Sequence, residues 1–94
     1  MARKKTRSAK VDPRLKEVGD ILLSIRLKHG ESRREVAEAI GYSHTQIFQI
    51  EKGKMKPSGA YLAAFFSTYN VPASTRKQVV KLLCDYCFGE AMAA

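Results

Sequence analysis

The sequence predicts an all-α domain, and three observations carry that reading. Apolar residues recur at helical spacing, as Val18, Ile21, Leu22 and Ile25 do. Capping residues stand just before each such run, and Gly or Pro stands just after it. No stretch alternates apolar and polar residues at the strand period, and there is no internal repeat. The 94 residues, 45% hydrophobic and 28% charged, give room for one domain and a tail.

Five short helices follow in order. Asp12-Pro13 opens the first, with Asp as cap and Pro at the first helical position. Its apolar face is Val18, Ile21, Leu22 and Ile25, and His29-Gly30 ends it. Ser32 caps the second, and Glu35 three residues on completes a capping box. Val36, Ala37 and Ile40 form its inner side before Gly41 stops it. Ser43 caps the third, where Ile47 and Ile50 are the apolar pair, and Gly53 stops it. Ser58 starts the fourth, with Leu62, Phe65 and Phe66 inward, Tyr61 and Tyr69 flanking, and Asn70 and Pro72 closing it. Ser74 or Thr75 caps a fifth helix, placed over residues 75–90.

Charge narrows the function. Seventeen basic groups against nine acidic give a net charge of +8, so nucleic acid heads the list of partners. Five of those basic groups, Arg3, Lys4, Lys5, Arg7 and Lys10, fall within residues 1–11 with no acid among them. That segment is expected to be a flexible arm, either solubilising or reaching for phosphate and groove. The ordered domain is then residues 12–94. No run approaches the ~18 apolar residues of a membrane span, and no apolar segment follows the basic start as a secretory signal requires. Two cysteines make no disulfide framework, so a cytoplasmic setting is expected. No phosphate-cradling Gly-rich loop and no acid/base cluster stands in the sequence. The expectation is a non-enzyme with no cofactor and no metal.

The informative segment is residues 32–53, SRREVAEAIGYSHTQIFQIEKG. Two short helices meet there at a turn containing Gly41. Helices crossing steeply need a small residue at the contact, which Ala37 supplies, and a turn residue free to take positive φ. Ile47 and Ile50 bury one side of the second helix of the pair. Its other side carries short hydrogen-bonding side chains that fit a DNA groove.

These residues resemble the Cro/XRE-type, lambda-repressor-like helix-turn-helix family over roughly residues 18 to 72. The resemblance rests on Ile25-Arg26, Gly30-Glu31-Ser32-Arg33, Val36-Ala37, Gly41, Ser43, Ile47, Ile50-Glu51 and Lys52-Gly53, with Pro57-Ser58 and Leu62 at the fourth helix. It implies a recognition helix from Ser43 to Lys52 and an ion pair between Arg26 and Glu51. It also implies base contacts from His44, Thr45 and Gln49, with Ser43 and Gln46 nearby. Each residue type suits base reading. Gln can pair with adenine in bidentate fashion, and Thr offers a hydroxyl or a methyl. His44 can donate to guanine or to a phosphate. Two residues depart from the family pattern. Glu31 replaces an apolar residue, so the first corner is expected to be less well buried. Arg33 replaces a Gln that braces the recognition helix; it binds phosphate through charge but cannot accept a hydrogen bond. Phe48 on a recognition helix can meet a thymine methyl, but packing against a neighbouring loop is the expectation.

Arg33, Arg34, Lys52, Lys54 and Lys56 are the candidate phosphate contacts, which set register while base contacts set sequence. The fifth helix has one stripe for the core (Val79, Leu82, Leu83, Tyr86). A second stripe is left over: Val80, Cys84, Cys87 and Phe88. Such a stripe marks an interface, most simply that of a homodimer. Cys84 and Cys87 lack the helix-start position and the further ligands that thiolate or zinc chemistry requires, and are read as small apolar residues. The expected function is a sequence-specific transcriptional regulator of the repressor type, binding double-stranded DNA at a near-palindromic operator as a homodimer. The rival is an antitoxin-like subunit that neutralises a protein partner through its C-terminal helix.

Overall fold

The computed structural model describes residues 11–93, with side chains to residue 89. The basic arm residues Arg3, Lys4, Lys5, Arg7 and Lys10 lie outside the described residues. Five helices follow one another: α1 Pro13–Lys28, α2 Arg33–Ile40, α3 His44–Glu51, α4 Gly59–Tyr69 and α5 Ala73–Ala93. No strand occurs among the described residues.

Local chemistry explains most boundaries. The Asp12 carboxylate accepts from the Arg14 amide, and Pro13 takes the position where no amide is needed. Ser32 and Ser58 accept from the third amide of α2 and α4. Gly41 ends α2 in the left-handed region, φ 79°, and its amide returns to the Ala37 carbonyl. Asn70 ends α4 the same way at φ 52°. The fifth helix differs from expectation at both ends. It begins at Ala73, because the Pro72 carbonyl already accepts from the Arg76 amide. Ser74 and Thr75 therefore lie inside the first turn. It also runs past residue 90 to Ala93, and within it Gly89 leaves room for Arg14 to lie across the helix. Arg14 Nη1 donates there to the Asp85 carbonyl at 2.7 Å, tying the start of α1 to α5.

The core gathers Val18 and Leu22 of α1, Val36, Ala37 and Ile40 of α2, Ile47 and Ile50 of α3, Leu62 and Phe65 of α4, and Val79 of α5. Three expectations shift. The buried face of α1 runs Leu15, Val18, Leu22, Arg26, and Ile21 and Ile25 are only half-buried. Tyr61 and Tyr69 sit inside the core rather than flanking it, Tyr61 stacked on Phe65 and Tyr69 tilted against it. Phe66, Leu82, Leu83 and Tyr86 are half-buried.

The face of α1 is turned this way because α1 crosses the end of α3 at Gly19. A Cβ there would stand 2.5 Å from the Ile50 carbonyl oxygen and 2.6 Å from that of Glu51. Only glycine lets the two backbones approach so closely, and that approach points Arg26 inward at α3.

Gly19→Ala should therefore cost about 2 kcal/mol or more, the scale of overpacking against rigid backbone. Gly59→Ala, also in a helix but with nothing within 4 Å of the added Cβ, should be neutral or stabilising. Urea denaturation of the two variants checks the contrast; equal effects would contradict it.

Candidate nucleic-acid interface

The exposed side of α3 is built by what lies beneath it. Ile47, Ile50 and Glu51 are buried, which leaves His44, Thr45 and Lys52 exposed and Gln46, Phe48 and Gln49 half-buried. Ser43 and Gln46 serve the helix start. Ser43 Oγ accepts from the Gln46 amide, and Gln46 Oε1 accepts from the Ser43 amide at 3.2 Å. This second capping box is written in the sequence as Ser-x-x-Gln, the same signal as at Ser32. Among the described residues the side-chain nitrogen of Gln46 has no hydrogen-bond partner. His44, Thr45 and Gln49 take no part in the cap.

Glu51 anchors the helix from below. Arg26 Nε donates to its Oε2 at 2.7 Å and Arg26 Nη2 to its Oε1 at 3.1 Å, a two-pronged pair with both residues buried (7% and 5% exposed). The third prong, Arg26 Nη1, donates to the Glu31 carbonyl at 2.9 Å. The expected ion pair is present, and it also fastens the corner between α1 and α2. Tyr61 lies buried near this carboxylate; burial first, and the Glu51 charge second, hold its phenol neutral far above the ordinary range.

The two departures from the family pattern both have a structural consequence. Arg33 Nε donates to Glu51 Oε1 at 3.1 Å, and its guanidinium lies over the Phe48 ring, 4.8 Å from the centroid. Arg33 thus braces α3 by donating to a carboxylate, where a Gln would use its carboxamide. Sequence alone could not show this, because 18 residues separate the partners. The side chain of Glu31 accepts from the Tyr69 hydroxyl at 2.5 Å, so the corner is closed by a hydrogen bond instead of an apolar contact. Phe48 lies not against a neighbouring loop but against two cationic side chains, Arg33 of α2 and Lys52 at the end of α3, the latter with Nζ 5.4 Å from the ring centroid.

Between the starts of α2 and α3 lies an open groove of about 440 Å³, lined by Ser32, Arg33, Arg34, His44, Thr45 and Phe48. Arg34 and Lys52, Lys54 and Lys56 are exposed around α3. Lys56 is also drawn toward α5, its Nζ 3.7 Å from Cys87 Sγ.

A short helix, a tight left-handed turn and a second helix with a polar outer face are the parts of a helix-turn-helix. A family model described as helix-turn-helix matches residues 22–75, more than half of the chain. The chain belongs to the Cro/XRE-type helix-turn-helix family. Its five helices are those of the lambda-repressor-like all-α fold. Among curated proteins it is similar to the "Transcriptional regulator ClgR" of two Mycobacterium tuberculosis strains, CDC 1551 / Oshkosh and ATCC 25618 / H37Rv. Each is 33% identical over 57 residues, covering 61% of this chain and 51% of the relative. The chain thus spans about half the length of these relatives.

The leftover stripe on α5 is exposed: Phe88 at 67%, Val80 at 48%, with Cys84 and Cys87 free thiols at the surface. Leu62, Leu83, Val80 and both cysteines line a shallow, mostly apolar groove of about 340 Å³ between α4 and α5. No described helix is long and apolar enough to cross a membrane.

In this family member, Glu51→Gln should lower stability by about 3 kcal/mol or more, because Arg26 would keep a buried charge without its counter-charge. Replacing both partners by methionine should cost less than that single change. Chemical denaturation tests the pair; a Glu51→Gln effect below about 1 kcal/mol would show that the two charges contribute little.

Proposed function

We propose that this chain is a sequence-specific DNA-binding transcriptional regulator that acts as a repressor, bound as a homodimer to a near-palindromic operator. One observation carries the reading: the polar face of α3 stands clear of the protein, backed by buried Ile47, Ile50 and Glu51. A helix is about 10–12 Å across with its side chains and the major groove is about 12 Å wide, so α3 fits as a recognition helix. His44, Thr45 and Gln49 read base edges, and Ser43 and Gln46 hold the first turn from which His44 and Thr45 project, Gln49 following one turn later. Arg34, Lys52, Lys54 and the free end of Arg33 bind phosphates, with Lys56 at the margin. The arm residues Arg3, Lys4, Lys5, Arg7 and Lys10 follow the backbone or enter an adjacent groove. The similarity to a transcriptional regulator supports the regulatory role.

The exposed Val80, Cys84, Cys87 and Phe88 stripe supports a two-fold dimer. Dimers of this motif set half-sites about 34 Å apart, one turn of DNA. Repression follows from occupancy of such a site over a promoter. The chain works where DNA is accessible, in the cytoplasm.

Selection of bound duplexes from a random pool at physiological salt should return a near-palindrome. On that site Gln49→Ala should cost about 1–3 kcal/mol and relax preference at one base pair per half-site. Lys54→Ala should weaken all sequences alike and lower the salt slope by about one. Identical effects on discrimination would contradict the assignment. Sedimentation should show a dimer for the wild type and a folded monomer for Val80→Glu/Phe88→Glu; a wild-type monomer while bound to a full palindrome would remove the dimer.

A further inference from the structure

Phe48 is an apolar ring on a face of polar side chains. It stands one helical turn after His44 and one before Lys52, on the wall of the groove between α2 and α3. The core does not need it there, since α3 already buries Ile47 and Ile50 and leaves Phe48 half-exposed.

The ring is held in place from the side. The Arg33 guanidinium lies 4.8 Å from its centroid and Lys52 Nζ 5.4 Å. Arg33 is itself fixed, because its Nε is bonded to Glu51, which Arg26 grips from the core. Neither terminal nitrogen of Arg33 has a hydrogen-bond partner among the described residues, so both can take a phosphate oxygen while Nε stays bonded. The groove beside Arg33 is lined by His44, Thr45 and Phe48, so these are the side chains that a strand held there by its phosphate would meet with its base edges. His44 and Thr45 can make hydrogen bonds to those edges; a phenyl ring cannot. The base-edge feature in the major groove that favours an apolar partner is the C5-methyl group of thymine.

We infer that Phe48 reads the C5-methyl group of one thymine in each half-site, held for that purpose by Arg33 and Lys52. This rests on α3 being the recognition helix, as proposed above. Phe48 then separates thymine from cytosine by a methyl contact. It tells thymine from uracil, which differ at that edge in the methyl alone. A 5-methylcytosine at the same position presents the same methyl to the ring.

The test uses the full chain and a duplex returned by selection. Each thymine is replaced singly by deoxyuridine, and affinity is measured at one fixed salt concentration. Wild type should lose about fourfold at one thymine per half-site, the scale of one buried methyl group. Phe48→Ala should bind the thymine duplex more weakly and show no thymine–uracil difference at that position. Phe48→Gln, which keeps a stem under Arg33, should lose the difference too, and serves if the alanine variant does not fold. A site where no methyl matters, or where its effect persists in the variant, overturns this inference alone. Selection that returns no preferred sequence overturns the recognition-helix reading and this inference with it.

Discussion

The carboxylate of Glu51 holds three helices of this domain together. Arg26 from α1 grips it with two nitrogens, and Arg33 from α2 adds a third bond from the rim. Glu51 closes α3. The core around this centre is apolar, and a well-packed apolar pair in its place would often be as stable or more so. The polar arrangement adds direction. Two forked guanidinium groups fix where α3 lies relative to α1 and α2, whereas apolar contacts tolerate sliding. Gly19 makes the geometry possible by admitting the backbone at Ile50 and Glu51 to contact with α1.

That centre gives the outer face its form. Arg33 is bonded at Nε and stacked on Phe48, so its remaining nitrogens point from a fixed base, with less rotamer freedom to lose when they bind. Ser43 and Gln46 close the first turn of α3 and hold His44 and Thr45 at its tip. The side chains proposed to bind phosphate and those proposed to read bases are thus held by one network. A change at Glu51 should reach both, although Glu51 touches no nucleotide.

The sequence discloses these features unevenly. Caps and stops at Asp12, Ser32, Gly41, Ser43 and Ser58 place four helices, because each is a local exchange of hydrogen bonds. The start of α5 is obscured because Ser74 and Thr75 look like caps, while the carbonyl of Pro72 accepts the first helical bond. Helical spacing of apolar residues ranks Ile21 and Ile25 with Val18 and Leu22. Spacing takes no account of a buried charge, so it does not turn the face toward Arg26. The Arg26–Glu51 pair is legible only through family resemblance. The role of Arg33 is not, since the family carries Gln there and the partner is distant in sequence. The hydroxyls of Tyr61 and Tyr69 suggest an edge position, yet burial of their rings prevails.

If the polar side of α3, positioned by Glu51, is the surface that meets DNA, binding must perturb it first. Chemical-shift mapping of the isotope-labelled chain during titration with its selected duplex reads this residue by residue. The largest changes are expected at the amides of residues 44–49 and at Arg33 and Arg34. The Nε–H signal of Arg26 should stay in its bonded position. Changes confined to α5, with α3 silent, would contradict this reading.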